Sequence, residues 1–94
     1  MPITVQSTGG SVVETTGTGT VTTNVWGLAR IRWYSLTASA GDICTVTDTA
    51  GNIIFDSAAS GADFSDEIEL AKVAPFLGIK VTVLTSGLVF FYLR

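Results

Sequence analysis

The side chains able to do chemistry in this chain are carboxylates, hydroxyls and one thiol; there is no histidine. Acid–base and nucleophilic catalysis ordinarily leave a base beside the nucleophile. A Ser-His-Asp arrangement is therefore impossible, and the many Ser and Thr residues have no visible activator. Two carboxylates could still act together, as in glycosidases. The candidates are Asp42, Asp48, Asp56, Asp63, Asp66, Glu67 and Glu69. Most fall at turns or on an alternating polar face, where solvation accounts for them. Calcium wants oxygen ligands from a flexible loop. Asp48-Thr49-Ala50-Gly51-Asn52 and Asp63-Phe64-Ser65-Asp66-Glu67 offer some oxygens, but neither has the ligand spacing of an EF-hand, and turn chemistry accounts for the first. Gly9, Gly10, Gly17 and Gly19 lack the Lys and the strand–helix context of a phosphate loop. The single Cys44 excludes an internal disulfide and a multi-cysteine metal site, and its apolar surroundings predict a buried, inert thiol. The expectation is a chain without catalytic residues, metal or cofactor.

The totals narrow the partners. Charged residues are 14% of the chain and hydrophobic ones 47%, about half the usual charged share. A surface so poor in charge is expected where other proteins cover it. The formal charge is −3, which argues against nucleic acid and anionic membranes, since both call for clustered Lys and Arg. Apolar runs are too short for a membrane-spanning helix. The Met-Pro-Ile-Thr start has neither the basic nor the apolar region of a signal peptide, so synthesis in the cytoplasm without Sec export is expected.

Fourteen Thr, eight Ser and ten Gly, among β-branched and aromatic residues, favour strands over helices. Residues 1–24 are a Thr/Gly-rich segment, readable as an N-terminal arm or as short strands at Ile3–Gln6, Val12–Thr15 and Thr20–Thr23. Residues 25–94 carry the main domain. There Val25–Leu36 reads as one long strand, and Ile43–Thr47 with Ile53–Asp56 as a hairpin in which Gly51 and Asn52 tolerate positive φ. Asp66–Val73 alternates acidic and apolar residues and reads as a strand in preference to a helical turn. Ile79–Thr85 and Leu88–Leu93 read as a last hairpin around Ser86-Gly87. This spacing predicts an all-β fold, a compact antiparallel β-sandwich or jelly-roll-like barrel.

Two strands carry the best functional signal. In Val25–Leu36 the odd positions are small or apolar and suit a core, while the even positions are Trp26, Leu28, Arg30, Arg32, Tyr34 and Leu36. Trp, Tyr and Arg are the types enriched in protein–protein hot spots, and Arg30 and Arg32 would stand about 7 Å apart on one side, placed to meet a neighbour's carboxylates. An equally open reading keeps this face within the chain, Arg stems covering Trp26 or Tyr34 and bonding to Glu67 or Glu69. Trp26 and Tyr34 could also stack on a sugar. Leu88–Leu93 is apolar on both faces, so one face is expected in the domain's own core and the other, with Phe90 and Tyr92 as candidates, against another subunit.

The hairpin pattern T-D-x-x-G-N-x-I at Thr47–Ile54 and the pattern G-x-x-V-x-x-L-x-S-G-x-V-x-x-Y-L from Gly78 to Leu93 resemble those of small virion proteins of tailed bacteriophages. The likeness covers roughly residues 30–94. It implies a compact β-sandwich with a structural role, either a capsid decoration (cement) protein or another small head or tail component. It further implies contacts with the major capsid protein or another virion protein, and assembly as a dimer or trimer. Trp26, Arg30, Arg32, Tyr34, Phe90 and Tyr92 are the candidate contact residues. The alternative is a carbohydrate-binding module of a tail or fibre component.

Overall fold

Runs of β-branched and aromatic residues alternating with polar ones become strands along most of the chain. The computed structural model describes residues 3–7, 12–70 and 76–93, without the side chains of 6, 7, 24–26 and 76. The strands are β1 (Thr4–Ser7), β2 (Val12–Thr16), β3 (Gly19–Trp26), β4 (Leu28–Ser35), β5 (Ile43–Thr47), β6 (Ile53–Ala58), β7 (Phe64–Glu69), β8 (Phe76–Leu84) and β9 (Leu88–Leu93). They form a five-stranded sheet, β1-β2-β9-β4-β7, and a four-stranded one, β3-β8-β5-β6, with antiparallel pairing throughout. The pairs β2·β9, β3·β8, β4·β7 and β5·β6 nest inside one another. The chain is thus one long hairpin, with its tip at Asp48–Asn52, wound so that successive pairs alternate between sheets. That winding is the jelly roll, here with β1 added outside it. The Thr/Gly-rich segment supplies β1, β2 and most of β3, paired into both sheets.

The core lies between the sheets. Val13, Ile31, Trp33, Val89 and Phe91 enter it from the five-stranded sheet, and Cys44, Val46, Phe55, Ile79 and Val81 from the four-stranded one. Each large apolar side chain buried this way contributes roughly 1.5–3 kcal/mol. Thr15, also buried, satisfies its hydroxyl by donating to the Val89 carbonyl at 3.1 Å.

Three expectations are corrected. Val25–Leu36 is not one strand: it breaks at Gly27, with β3 in one sheet and β4 in the other. A register shift between Leu28 and Arg30 then offsets the alternation, so Leu28 is fully buried on the side of Ile31 and Trp33. The final hairpin does not exist either. β8 pairs with β3 and β5, β9 with β2 and β4, and Ser86-Gly87 carries the chain across from one sheet to the other. At the hairpin tip only Gly51 adopts positive φ, 91°; Asn52 instead donates its backbone and side-chain N–H to the Asp48 carboxylate. The acidic run is a strand, β7, with Ile68 and Leu70 against the core and Glu67 and Glu69 outward. Residues 71–73 lie outside the described residues.

Candidate functional site

The outer face of the five-stranded sheet is set by register. β9 lies between β2 and β4, which places Tyr92 between Val12 and Arg30, Phe90 between Glu14 and Arg32, and Leu88 beside Tyr34. β7 continues these rows with Glu69, Glu67 and Ser65. Val89 and Phe91 alternate inward, fully buried. The doubly apolar last strand is therefore a central strand, and its outward residues are only half-buried.

Two arginines lie across those outward rings. The Arg30 guanidinium sits 4.2 Å from the centroid of Tyr92, and its Nη1 makes an ion pair of 3.3 Å with Glu67 Oε2. Both partners are substantially exposed, 38% and 46%, so this pair contributes at most about 1 kcal/mol. Arg32 lies 5.7 Å from the Tyr34 ring and 5.9 Å from that of Phe90. Among the described residues it meets no carboxylate at ion-pair distance, and its Nε donates one long hydrogen bond, 3.4 Å, to Ser65 Oγ. Tyr34 Oη donates to Asp63 Oδ1 at 3.1 Å. That hydrogen bond, with burial and the carboxylate's charge adding to it, holds the Tyr34 pKa above its ordinary value.

The structure thus brings Arg30, Arg32, Tyr34, Phe90 and Tyr92 together on one face. Trp26 does not share their strand or sheet: it ends β3, the edge of the four-stranded sheet, and its side chain lies outside the described residues. Leu88 shares the outward side of β9 with Phe90 and Tyr92, as alternation implies, while Ser65 completes its row only through the β4·β7 register and is not marked by any sequence pattern.

The carboxylates considered for catalysis or calcium are dispersed by the strand alternation. Asp66 turns inward to accept from Ser57 Oγ at 2.6 Å, Glu67 turns outward to Arg30, and Asp63 meets Tyr34. Among the described residues no three acidic or thiol groups converge as a metal site. Asp48 accepts from the backbone N–H of Ala50 and Asn52 and from the Asn52 side chain, and these bonds lower its pKa. Cys44 is fully buried, and desolvation, with Asp56 adding, pushes its thiol up to about 12.

One polar network was not anticipated. Ser86 Oγ donates to Asp42 Oδ2 at 2.8 Å, lies 2.8 Å from Ser35 Oγ, and its carbonyl accepts the Trp33 indole N–H at 2.9 Å. The Ser39 N–H also reaches Asp42 Oδ2, at 3.0 Å. Hydrogen bonds from Ser39, Ser86 and Thr85 depress the Asp42 pKa. The network fastens the β8–β9 crossing to β4 and the β4–β5 loop, beside a cavity of about 250 Å³ lined by Thr16, Gly17, Leu84, Thr85, Ser86 and Gly87. Comparison with protein-family models, curated proteins and solved structures finds no match to this chain.

Proposed function

We propose that this chain is a non-enzymatic structural protein of a tailed-phage virion, a capsid decoration (cement) protein that stabilises the head through protein–protein contacts. Its docking surface is the outer face of the five-stranded sheet. One observation carries this reading: Arg32 lies beside the rings of Tyr34 and Phe90 and, among the described residues, makes one long hydrogen bond from its five donors. An arginine packed on aromatic rings, its fork largely unspent, is the composition of an interface hot spot, and it fits a partner segment bearing carboxylates or backbone carbonyls. The phage assignment itself rests on the resemblance of the two hairpin and terminal-strand patterns. The sugar-binding alternative is disfavoured because its two candidate rings, Trp26 and Tyr34, stand on strands of different sheets, and Tyr34 already lies beside Arg32 and bonds to Asp63.

The test uses particles from the phage that encodes the chain. Heads stripped of this protein are re-incubated with the purified chain, and binding and the temperature of DNA release are measured. Wild-type protein is expected to rebind and raise the release temperature. Arg32→Glu is expected to bind at least about 30-fold more weakly, since a hot spot is worth about 2 kcal/mol or more, with its unfolding midpoint unchanged. Absence of the chain from purified heads, or equal binding by Arg32→Glu, overturns the proposal.

A further inference from the structure

Among the described residues the two sheets have four edges, and three are guarded against pairing with another strand. β7 carries Asp66, Glu67 and Glu69, with Asp66 turned inward. β3 is interrupted by two register shifts. β6 carries the exposed Asp56 and lies across a shifted register from β5. Charges, inward-pointing acids and bulges are the devices by which natural edges avoid association. β1 has none of them: Thr4–Ser7 holds no charge and no proline, and its register with β2 is unbroken from Thr4↔Thr16 to Ser7↔Val13. Its one blunting feature is length, four residues.

A second observation lies on the same strand. Val5 pairs with Thr15, whose side chain points inward and is 1% exposed, yet Val5 is 44% exposed. Ile3, next to β1, packs against the core and close to Gly19 of β3 in the opposite sheet, whereas Val5 is left only partly covered.

We infer that β1 is a self-association edge, pairing antiparallel with β1 of a second copy to make a dimer whose five-stranded sheets join into one. A second copy is the occupant these features favour, because an antiparallel strand pairing with itself is isologous and closes at two. Pairing with β3, β6 or β7 of another copy would instead meet bulges or acids. Parity fixes the register further. Opposed residues in an antiparallel pair share a face, so keeping both cores on the same side requires an even sum of paired numbers. Val5 opposite Val5 satisfies this, with Thr4 opposite residue 6, and each valine then covers the other. So short a strand supplies few hydrogen bonds, and the dimer is reversible.

Sedimentation velocity over about a hundredfold concentration range tests this by mass action. The wild-type chain is expected to pass from monomer to dimer, and Val5→Lys to remain monomeric with an unchanged unfolding midpoint. Val5→Cys is expected to form a disulfide dimer on mild oxidation, and Thr4→Cys much less, since Cβ atoms of directly opposed residues lie about 4.5–5.5 Å apart. Cys44 is buried and does not compete. If Val5→Lys fails to fold, the contrast between Val5→Cys and Thr4→Cys decides. A wild type that stays monomeric or forms trimers, a Val5→Lys that still dimerises, or equal cross-linking at both positions overturns the inference. Arg32→Glu is expected to dimerise normally, which separates this edge from the docking face.

Discussion

Replacing Gly87 with alanine tests the crossing that the terminal residues make between sheets. Gly87 has φ +85°, in the left-handed region where an L side chain costs about 1–2 kcal/mol. A Cβ there would overlap the Tyr34 carbonyl oxygen and lie 2.6 Å from Ser35 Cβ and 2.8 Å from Ser35 Cα. Most of these obstacles are β4 backbone and cannot swing aside as a flexible side chain would. Relieving the overlap means moving β4 and the crossing apart, against the Trp33 and Ser35 hydrogen bonds to Ser86, at a further cost of about 1–3 kcal/mol. The total is about 2–5 kcal/mol. Gly41 is the internal control: its φ is +92° and a Cβ would meet nothing within 4 Å, so Gly41→Ala should cost only the conformational term, about 1–2 kcal/mol. Urea unfolding followed by tryptophan fluorescence and far-UV circular dichroism gives both values. If the two variants agree within about 0.5 kcal/mol, the close approach of Gly87 to β4 is not a constraint and the argument fails.

Two further predictions concern pH. The Cys44 thiol, buried and raised to about 12, should resist a thiol reagent in the native protein at pH 8 and react fully in denaturant; fast native labelling would place it outside the core. Because its folded pKa lies above the unfolded value of about 8.5, the stability it confers is complete below that pH and lost as pH rises towards the folded value, so urea midpoints should fall above about pH 8.5. Asp42 and Asp48 behave oppositely: hydrogen bonds depress both pKa values, so their contribution is present above about 3.9, the unfolded value, and is lost as pH falls through the folded one. Asp42→Asn or Asp48→Asn should flatten the acid limb of the stability–pH curve, and an acid limb of wild-type steepness in both variants would show that these carboxylates are not responsible.

Much of the strand content follows from local chemistry. The bounds of β9, the inward set Ile31, Trp33 and Ser35 in β4, the β5–β6 turn at Asp48–Asn52 and the outward Glu67 and Glu69 are all readable from alternation and turn residues. These depend on which face a side chain takes, and a period of two reports that directly. Arg30, Arg32 and Tyr34 could be grouped for the same reason, and so could Phe90 and Tyr92, but nothing local says that the two groups meet.

Adjacency was decided by the tertiary structure. Ser86-Gly87 has the chemistry of a hairpin turn and equally that of a crossing between sheets. The choice lies with distant partners: β8 is held by β3 and β5, and β9 by β2 and β4. Gly27 divides a run that reads as continuous, and the register shift beside it turns Leu28 from the expected outer face into the core. Trp26 leaves the candidate face for the same reason. Periodicity labels the sides of a strand but carries no record of which strand lies beside it. That neighbour is selected by the packing of the whole core, and with it came the face on which Arg32 lies beside Tyr34 and Phe90.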